Sequence, residues 1–195
     1  MSDTQINDQL PPKRRLWLWL IPLLMFAGLA VLLGSRLGED PEVQVSQMVG
    51  KPLPAFSLPN LSDGTLLTAQ NLPKVPYLLN VWGSWCPSCV FEHPKLLEIA
   101  AQGVPIVGVN YKDEQVDALS YLAKHQNPFV LNLQDQAGGL GLDLGLTGAP
   151  ESFVVDAAGV IRLHVVGVID ADNWQARIQP CLQALTQTGS ADACR

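Results

Sequence analysis

The stretch "VWGSWCPSCVFEHPKL", residues 81–96, holds two cysteines separated by two residues, Cys86 and Cys89. Thiols at that spacing can ligate a metal, staple a fold or exchange electrons. A structural zinc site normally takes four ligands, for example two such pairs. The chain has no second CxxC, and His93, His125 and His164 do not show the His–His spacing of a zinc site, so zinc is disfavoured. A purely structural disulfide is the blander alternative. It would usually close a longer loop, because so short a one constrains the unfolded chain little. The chemistry left is thiol–disulfide exchange.

Position supports it. Cys86 follows "VPYLLNVWG" (75–83), a continuous apolar run typical of a strand buried on both faces. It precedes helix-like sequence from Pro87 to about Ala101. The orphan N–H groups and macrodipole of a helix start favour an anion, and the thiolate is the reactive form of cysteine. Pro87 suits the first turn, where its missing N–H has no helical partner. Cys86 is therefore expected to be the more exposed sulfur and the nucleophile. Cys89, one turn deeper, is the resolving thiol: it attacks the Cys86 sulfur of a mixed disulfide and releases the reduced partner. Trp82 and Trp85 read as core or cover, with Trp85 a candidate part of a docking surface.

The elements that must hold this pair read as follows. "AFSLPNLSDGTLLTAQNL" carries Asp63-Gly64 between two apolar runs, the pattern of a β-hairpin. A second buried strand is expected over 104–111 and a helix over 113–126, with Val116, Leu119 and Leu122 at helical spacing. "FVLNLQD" is a weaker strand, and "GGLGLDLGL" a short helix or loop. "ESFVVDAAGVIRLHVVGVI" reads as two strands about a turn at 156–159, and 170–185 as a final helix that Pro180 bends. The order β-β, β-α-β-α, β-β-α gives a mixed α/β sheet with helices on both faces.

The whole chain adds a compartment. Residues 16–33, "LWLWLIPLLMFAGLAVLL", form an uncharged run of 18 residues, long enough at ~1.5 Å per residue to span most of a ~30 Å hydrocarbon layer. Lys13, Arg14 and Arg15 precede it, so the positive-inside rule keeps residues 1–15 in the cytoplasm and exports the rest. A cleaved signal peptide is the rival reading. It would have a shorter apolar core and an A-x-A-like site, where this chain has "GSRLGED". Residues 34–49 read as a tether, 50–187 as the domain and 188–195 as a C-terminal tail. After Arg36 there are 8 Lys+Arg and 16 Asp+Glu, a formal net charge of −8. So acidic a domain is a poor nucleic-acid binder, since cations must neutralise the phosphates. In an oxidising compartment cysteines pair. Cys181 and Cys194, 13 residues apart, are thus expected to form a structural bridge that pins the tail, with two free thiols as the alternative.

These residues resemble the thioredoxin superfamily over about 50–187. "NVWGSWCPSC" is similar to its strand–WCxxC–helix site. "GAPESFVVDAAG" (148–159) matches a second motif, with Ala149-Pro150 at the family's cis-proline. "GLTGAPESF" (145–153) further resembles the TlpA/ResA/CcmG (DsbE) branch, with Ser152 in place of the usual Thr. The resemblance implies a thioredoxin-like fold and a catalytic set of Cys86, Cys89, Glu92, Glu151 and Pro150, with Asn80 where thioredoxins carry a buried Asp. From the residues alone, Glu92 reads first as a solvated helical acid, and Glu151 can be an ordinary strand-edge acid. His93 and His164 read as surface or partly packed.

The branch consists of membrane-anchored thiol reductases of cytochrome c maturation. It implies a periplasmic domain on an inner-membrane anchor that reduces the CxxCH cysteines of apocytochrome c, or an intermediary thiol protein. Its electrons would come from a membrane donor resembling DsbD or CcdA. It implies no cofactor of its own, haem being handled by other maturation proteins. Three alternatives stay open: a general oxidase or isomerase, a Sco-like copper-delivery module, and a peroxiredoxin-like peroxidase. Direction depends on the reduction potential, which Pro87 and Ser88 between the cysteines do not reveal.

Overall fold

The computed structural model describes residues 12–36 and 46–194, with side chains over 21–34 and 46–194. Most of the expected cytoplasmic stretch 1–15 and of the tether 34–49 lies outside these residues. The chain divides into two units, 1–43 and 44–195. The first holds one helix, α1 (Pro12–Arg36). Its described large apolar side chains, among them Leu24, Met25, Phe26 and Val31, are exposed. Among the described residues no helix is long and apolar enough to cross a membrane. The anchor expected over 16–33 thus coincides with a helix whose described side chains begin only at residue 21.

The second unit is built on a five-stranded sheet. A short antiparallel pair comes first, β1 (Leu58–Pro59) and β2 (Leu66–Leu67), joined through Asp63-Gly64. Then follow β3 (Tyr77–Trp82), α2 (Pro87–Ala101), β4 (Ile106–Tyr111), α3 (Gln115–His125) and β5 (Leu131–Asp135). A short helix α4 (Gly139–Asp143) leads to β6 (Glu151–Val155) and β7 (Ile161–Val166). The order across the sheet is β5-β4-β3-β6-β7, with β3, β4 and β5 parallel and β6 and β7 antiparallel.

Two crossovers, β3–α2–β4 and β4–α3–β5, step in the same direction across the sheet, and such connections between parallel strands favour one hand. Both helices therefore land on one face. That face is a core of Leu78, Trp82, Leu96, Ile99, Tyr121 and Val154, closed by the final helix through Trp174, Ile178 and Leu182. The other face buries Leu79, Val81, Val107, Phe153 and Val155 under α4 and the segments before β3. Helices do stand on both faces, but the second carries only five-residue α4 and is otherwise covered by extended chain.

The final helix is interrupted where Pro180 forces it. It starts as α5 (Ala171–Asn173), capped by the Asp170 carboxylate, widens into a π-helical turn (Trp174–Ile178), and resumes as α6 (Gln179–Gln187). Proline has no N–H to give and its ring crowds the carbonyl four residues back, so a wider turn relieves the clash. Cys181 is fully buried in α6 and joined to Cys194, with Cα atoms 4.5 Å apart. Ala191 and Cys194 pack against the first core. Residues 188–194 thus fold back onto the helix.

Candidate active site

β3 delivers the redox pair. Its alternation sends Leu78, Asn80 and Trp82 towards α2, and Tyr77, Leu79 and Val81 to the other face. Cys86 is the N-cap of α2, with extended backbone, and its Sγ accepts the Cys89 N–H at 3.1 Å. Pro87 occupies the first turn. Cys86 and Cys89 are joined as a disulfide, Cα to Cα 5.3 Å. The expected difference in exposure is not present: the two residues are 2% and 3% exposed. The capping position, not accessibility, distinguishes Cys86. Across from it lies the loop before β6, where the Ala149-Pro150 bond is cis and the Ala149 carbonyl oxygen is 3.4 Å from Cys86 Sγ.

A buried carboxylate pins the turn that carries the pair. Asp113 accepts four hydrogen bonds: Ser84 N–H at 2.6 Å, Ser84 Oγ–H at 2.8 Å, the Asn110 amide at 2.8 Å and Glu114 N–H at 3.0 Å. Lys112, just before it, adopts φ +47°, which turns the chain so that the carboxylate faces Ser84. The half-exposed Trp85 indole donates to the Tyr111 carbonyl at 3.0 Å and lies over Gly83, where a Cβ would sit 2.5 Å from its nitrogen. Trp82 is buried, and its N–H donates to Asn132 Oδ1 at 3.1 Å. Sequence reasoning missed Ser84 and Asp113. A polar pair in a loop after a strand carries no periodic signal.

Behind the pair sits Glu92, one helical turn beyond Cys89 and fully buried. The solvated-acid alternative does not describe it. Its Oε1 accepts Ile169 N–H at 2.8 Å and its Oε2 the Asn80 amide at 3.0 Å. Asn80 also donates to Ser152 Oγ at 3.0 Å, its register partner on β6. No cation is among these partners. Burial pushes the Glu92 carboxyl up to about 7, more than those two donors pull it down.

Glu151 lies elsewhere. It shares a face with Phe153 and Val155, opposite to the face that carries the cysteines. The structure does not bring its side chain together with Glu92 and the pair. Its Oε1 accepts Thr147 N–H at 2.7 Å, Thr147 Oγ–H at 2.6 Å and Gly148 N–H at 2.9 Å, and its Oε2 accepts from His164 Nε2 at 2.7 Å. Burial alone would raise this carboxyl, but these donors outweigh it and hold it below the usual range. His93, read as surface or partly packed, is buried against Tyr121. Its Nε2 reaches the His125 and Gln126 carbonyls at 3.1 and 2.9 Å, and burial lowers its pKa. Among the described residues no three His, Cys, Asp or Glu side chains come together to hold a metal ion.

A helix-capping cysteine, a second cysteine one turn in and an adjacent peptide edge compose a site for thiol–disulfide exchange. Comparison with known proteins agrees. The redoxin family matches residues 48–174. The chain belongs to the redoxin family. This redoxin is 46% identical over 167 residues to the thiol:disulfide interchange protein DsbE of Pseudomonas aeruginosa, covering 85% of this chain and 93% of that protein. It is 43% identical over 168 residues to the DsbE of Escherichia coli K12, covering 83% and 91%. Among solved structures, a Thermus thermophilus thio-disulfide isomerase superposes with a TM-score of 0.57 at 26% identity, covering 73% of this chain and 97% of that one. This redoxin is a thiol-disulfide oxidoreductase of thioredoxin-like fold, with Cys86 and Cys89 as its CxxC pair.

Proposed function

We propose that this oxidoreductase works as a reductant in cytochrome c maturation. It keeps the CxxCH cysteines of apocytochrome c, or those of an intermediary thiol protein, reduced for haem attachment. The observation that carries the direction is buried Glu92 behind Cys89. A carboxylate there disfavours the thiolates, and destabilising the reduced pair lowers the reduction potential. Strong disulfide oxidants work the opposite way, by stabilising the reduced form. The partner's cysteine-bearing segment docks in extended form along 147–149, beside Cys86, as in strand addition. Cys86 thiolate attacks one sulfur of the partner's disulfide and the other leaves as a thiolate. Cys89, losing its proton towards Glu92, then attacks Cys86 and frees the partner as a dithiol. The two electrons given up leave Cys86–Cys89 oxidised, to be restored by a membrane dithiol donor of the DsbD or CcdA kind.

The domain is proposed to face the periplasm on a single inner-membrane anchor over 16–33. The run's composition, the preceding Lys13, Arg14 and Arg15, and the exposed apolar side chains of α1 support that placement. Resistance of the full chain to alkaline extraction from membranes tests it; release into the soluble fraction counts against it. The general-oxidase alternative is tested by equilibrating the pair against glutathione and dithiothreitol. A potential near the thioredoxin end, ~−270 mV, supports a reductant, and one near −120 mV overturns it. Cys89→Ser is expected to trap apocytochrome c or its thiol intermediary as a mixed disulfide with Cys86.

A further inference from the structure

His164 lies on β7 directly across from Phe153 of β6. Its side chain is 6% exposed, and its ring stacks on Phe153 with centroids 4.1 Å apart. Its Nε2 is 2.7 Å from Glu151 Oε2, for which the described residues offer no other donor. The remaining oxygen of that carboxylate holds Thr147 and Gly148 by three hydrogen bonds. Gly148 is followed by Ala149, whose carbonyl lies 3.4 Å from Cys86 Sγ, and by Pro150, whose carbonyl accepts Gly167 N–H at 2.9 Å. An unbroken set of contacts therefore runs from the back of the sheet to the peptide edge beside the disulfide. Asn80, Glu92 and Ser152 take no part in it, because they face the other way.

We propose that His164 is a positioning residue for the docking of the protein partner. By giving Glu151 its fourth hydrogen bond, it fixes the 147–149 edge in the shape that an extended, cysteine-bearing peptide pairs with. This rests on the reading that the partner docks along that edge. A small disulfide that reaches Cys86 without lying along the edge does not depend on His164. Removing the donor leaves a buried carboxylate oxygen unpaired, and the segment it holds relaxes.

Two substitutions separate the ring from the donor. His164→Phe keeps the stack on Phe153 and loses the N–H. His164→Gln loses the stack and places an amide N–H at a similar reach. The full chain in detergent is assayed reduced, with an oxidised CxxCH peptide and separately with glutathione disulfide. For His164→Phe, KM for the peptide is expected to rise about tenfold, as the loss of one charge-assisted hydrogen bond gives. Its kcat and its rate with glutathione disulfide stay within about twofold of the parent, and His164→Gln restores most of the KM. A folded His164→Phe with an unchanged KM overturns the proposal, and so does equal impairment of both variants.

Should His164→Phe not fold, Thr147→Val, which loses one donor to the same carboxylate, is expected to raise KM in the same direction; an unchanged KM there overturns the proposal equally. If the parent reduces glutathione disulfide but not the peptide, the docking reading has failed instead. Amide hydrogen exchange then decides on His164 alone: loss of protection at Gly148 in His164→Phe supports the positioning role, and unchanged protection refutes it.

Discussion

Glu92→Gln should change how the stability of the oxidised protein depends on pH. Glu92 is fully buried and, among the described residues, accepts from Ile169 N–H and the Asn80 amide alone. Burial raises its carboxyl from 4.5 to about 7. The folded value lies above the unfolded one, so between them the native state binds the proton and the unfolded chain does not. Stability is then greatest below about pH 4.5 and is lost as pH rises through about 7. At ~1.4 kcal/mol per pH unit, the gap corresponds to about 3 kcal/mol. Glutamine does not titrate. It can keep the Ile169 bond through its oxygen and turn its amide towards Asn80 Oδ1, which has no hydrogen-bond partner among the described residues. Urea unfolding of both proteins is measured from pH 5 to 8.5 with the disulfides intact, so that no thiol titrates. Every other group cancels in the difference. The stability of Glu92→Gln minus that of the parent is expected to grow by roughly 2–3 kcal/mol across the range. A difference that stays flat refutes the argument, because it means Glu92 ionises in the fold as it does in the unfolded chain.

The other expectations follow from the same geometry. In the reduced protein, Glu92→Gln should lower the apparent pKa of Cys86, read as the pH dependence of its alkylation by iodoacetamide; no change, or a rise, argues against an electrostatic role. Replacing Cys181 and Cys194 together by serine removes a cross-link over 13 residues and should lower stability by about 3 kcal/mol in the chain-entropy model. Exchange at Cys86 and Cys89 should continue, and its loss in the folded variant would tie the second bridge to the chemistry. Gly108→Ala should destabilise by about 1–3 kcal/mol in thermal unfolding, because its Cβ would strike Asn132 Oδ1 and part it from the Trp82 indole. A variant as stable as the parent would show that the Trp82–Asn132 pair yields freely.

The strands, the helix behind the cysteines and the hairpin at Asp63-Gly64 are legible in the sequence because each has its own periodicity or turn chemistry. Strand phase is not legible where a run is buried on both faces. In "YLLNVW" and "ESFVV" every residue is buried, so alternation leaves no polar face to mark, and which face receives Glu151 appears only once β6 is paired with β3. His164 misleads in another way. "RLHVV" alternates as a half-exposed strand does, with Leu163 and Val165 inward, and so places His164 outward. The outward face is nonetheless covered, by a segment from more than 100 residues earlier that includes Met48 and Leu53. No local pattern carries that information. Glu92 is the reverse case: its spacing from Cys89, Leu96 and Ile99 puts it on the buried stripe of α2, and only its charge argues for the surface.

The buried carboxylates of Glu92 and Glu151 lie on opposite sides of one sheet, and the number and kind of their donors set them apart. Glu151 receives four hydrogen bonds, one of them from an imidazole, and its carboxyl is held low. Held low, it is an anion at neutral pH that holds its loop through those bonds. Glu92 receives two hydrogen bonds, from a backbone N–H and an amide, and burial wins. With its pKa near neutrality it can exchange a proton when a thiol beside it gains or loses one, so the titrations of Glu92 and the reduced pair are coupled. In the proposed reduction, a proton moving from Cys89 to Glu92 would keep the total charge of the pocket constant while the resolving thiolate forms.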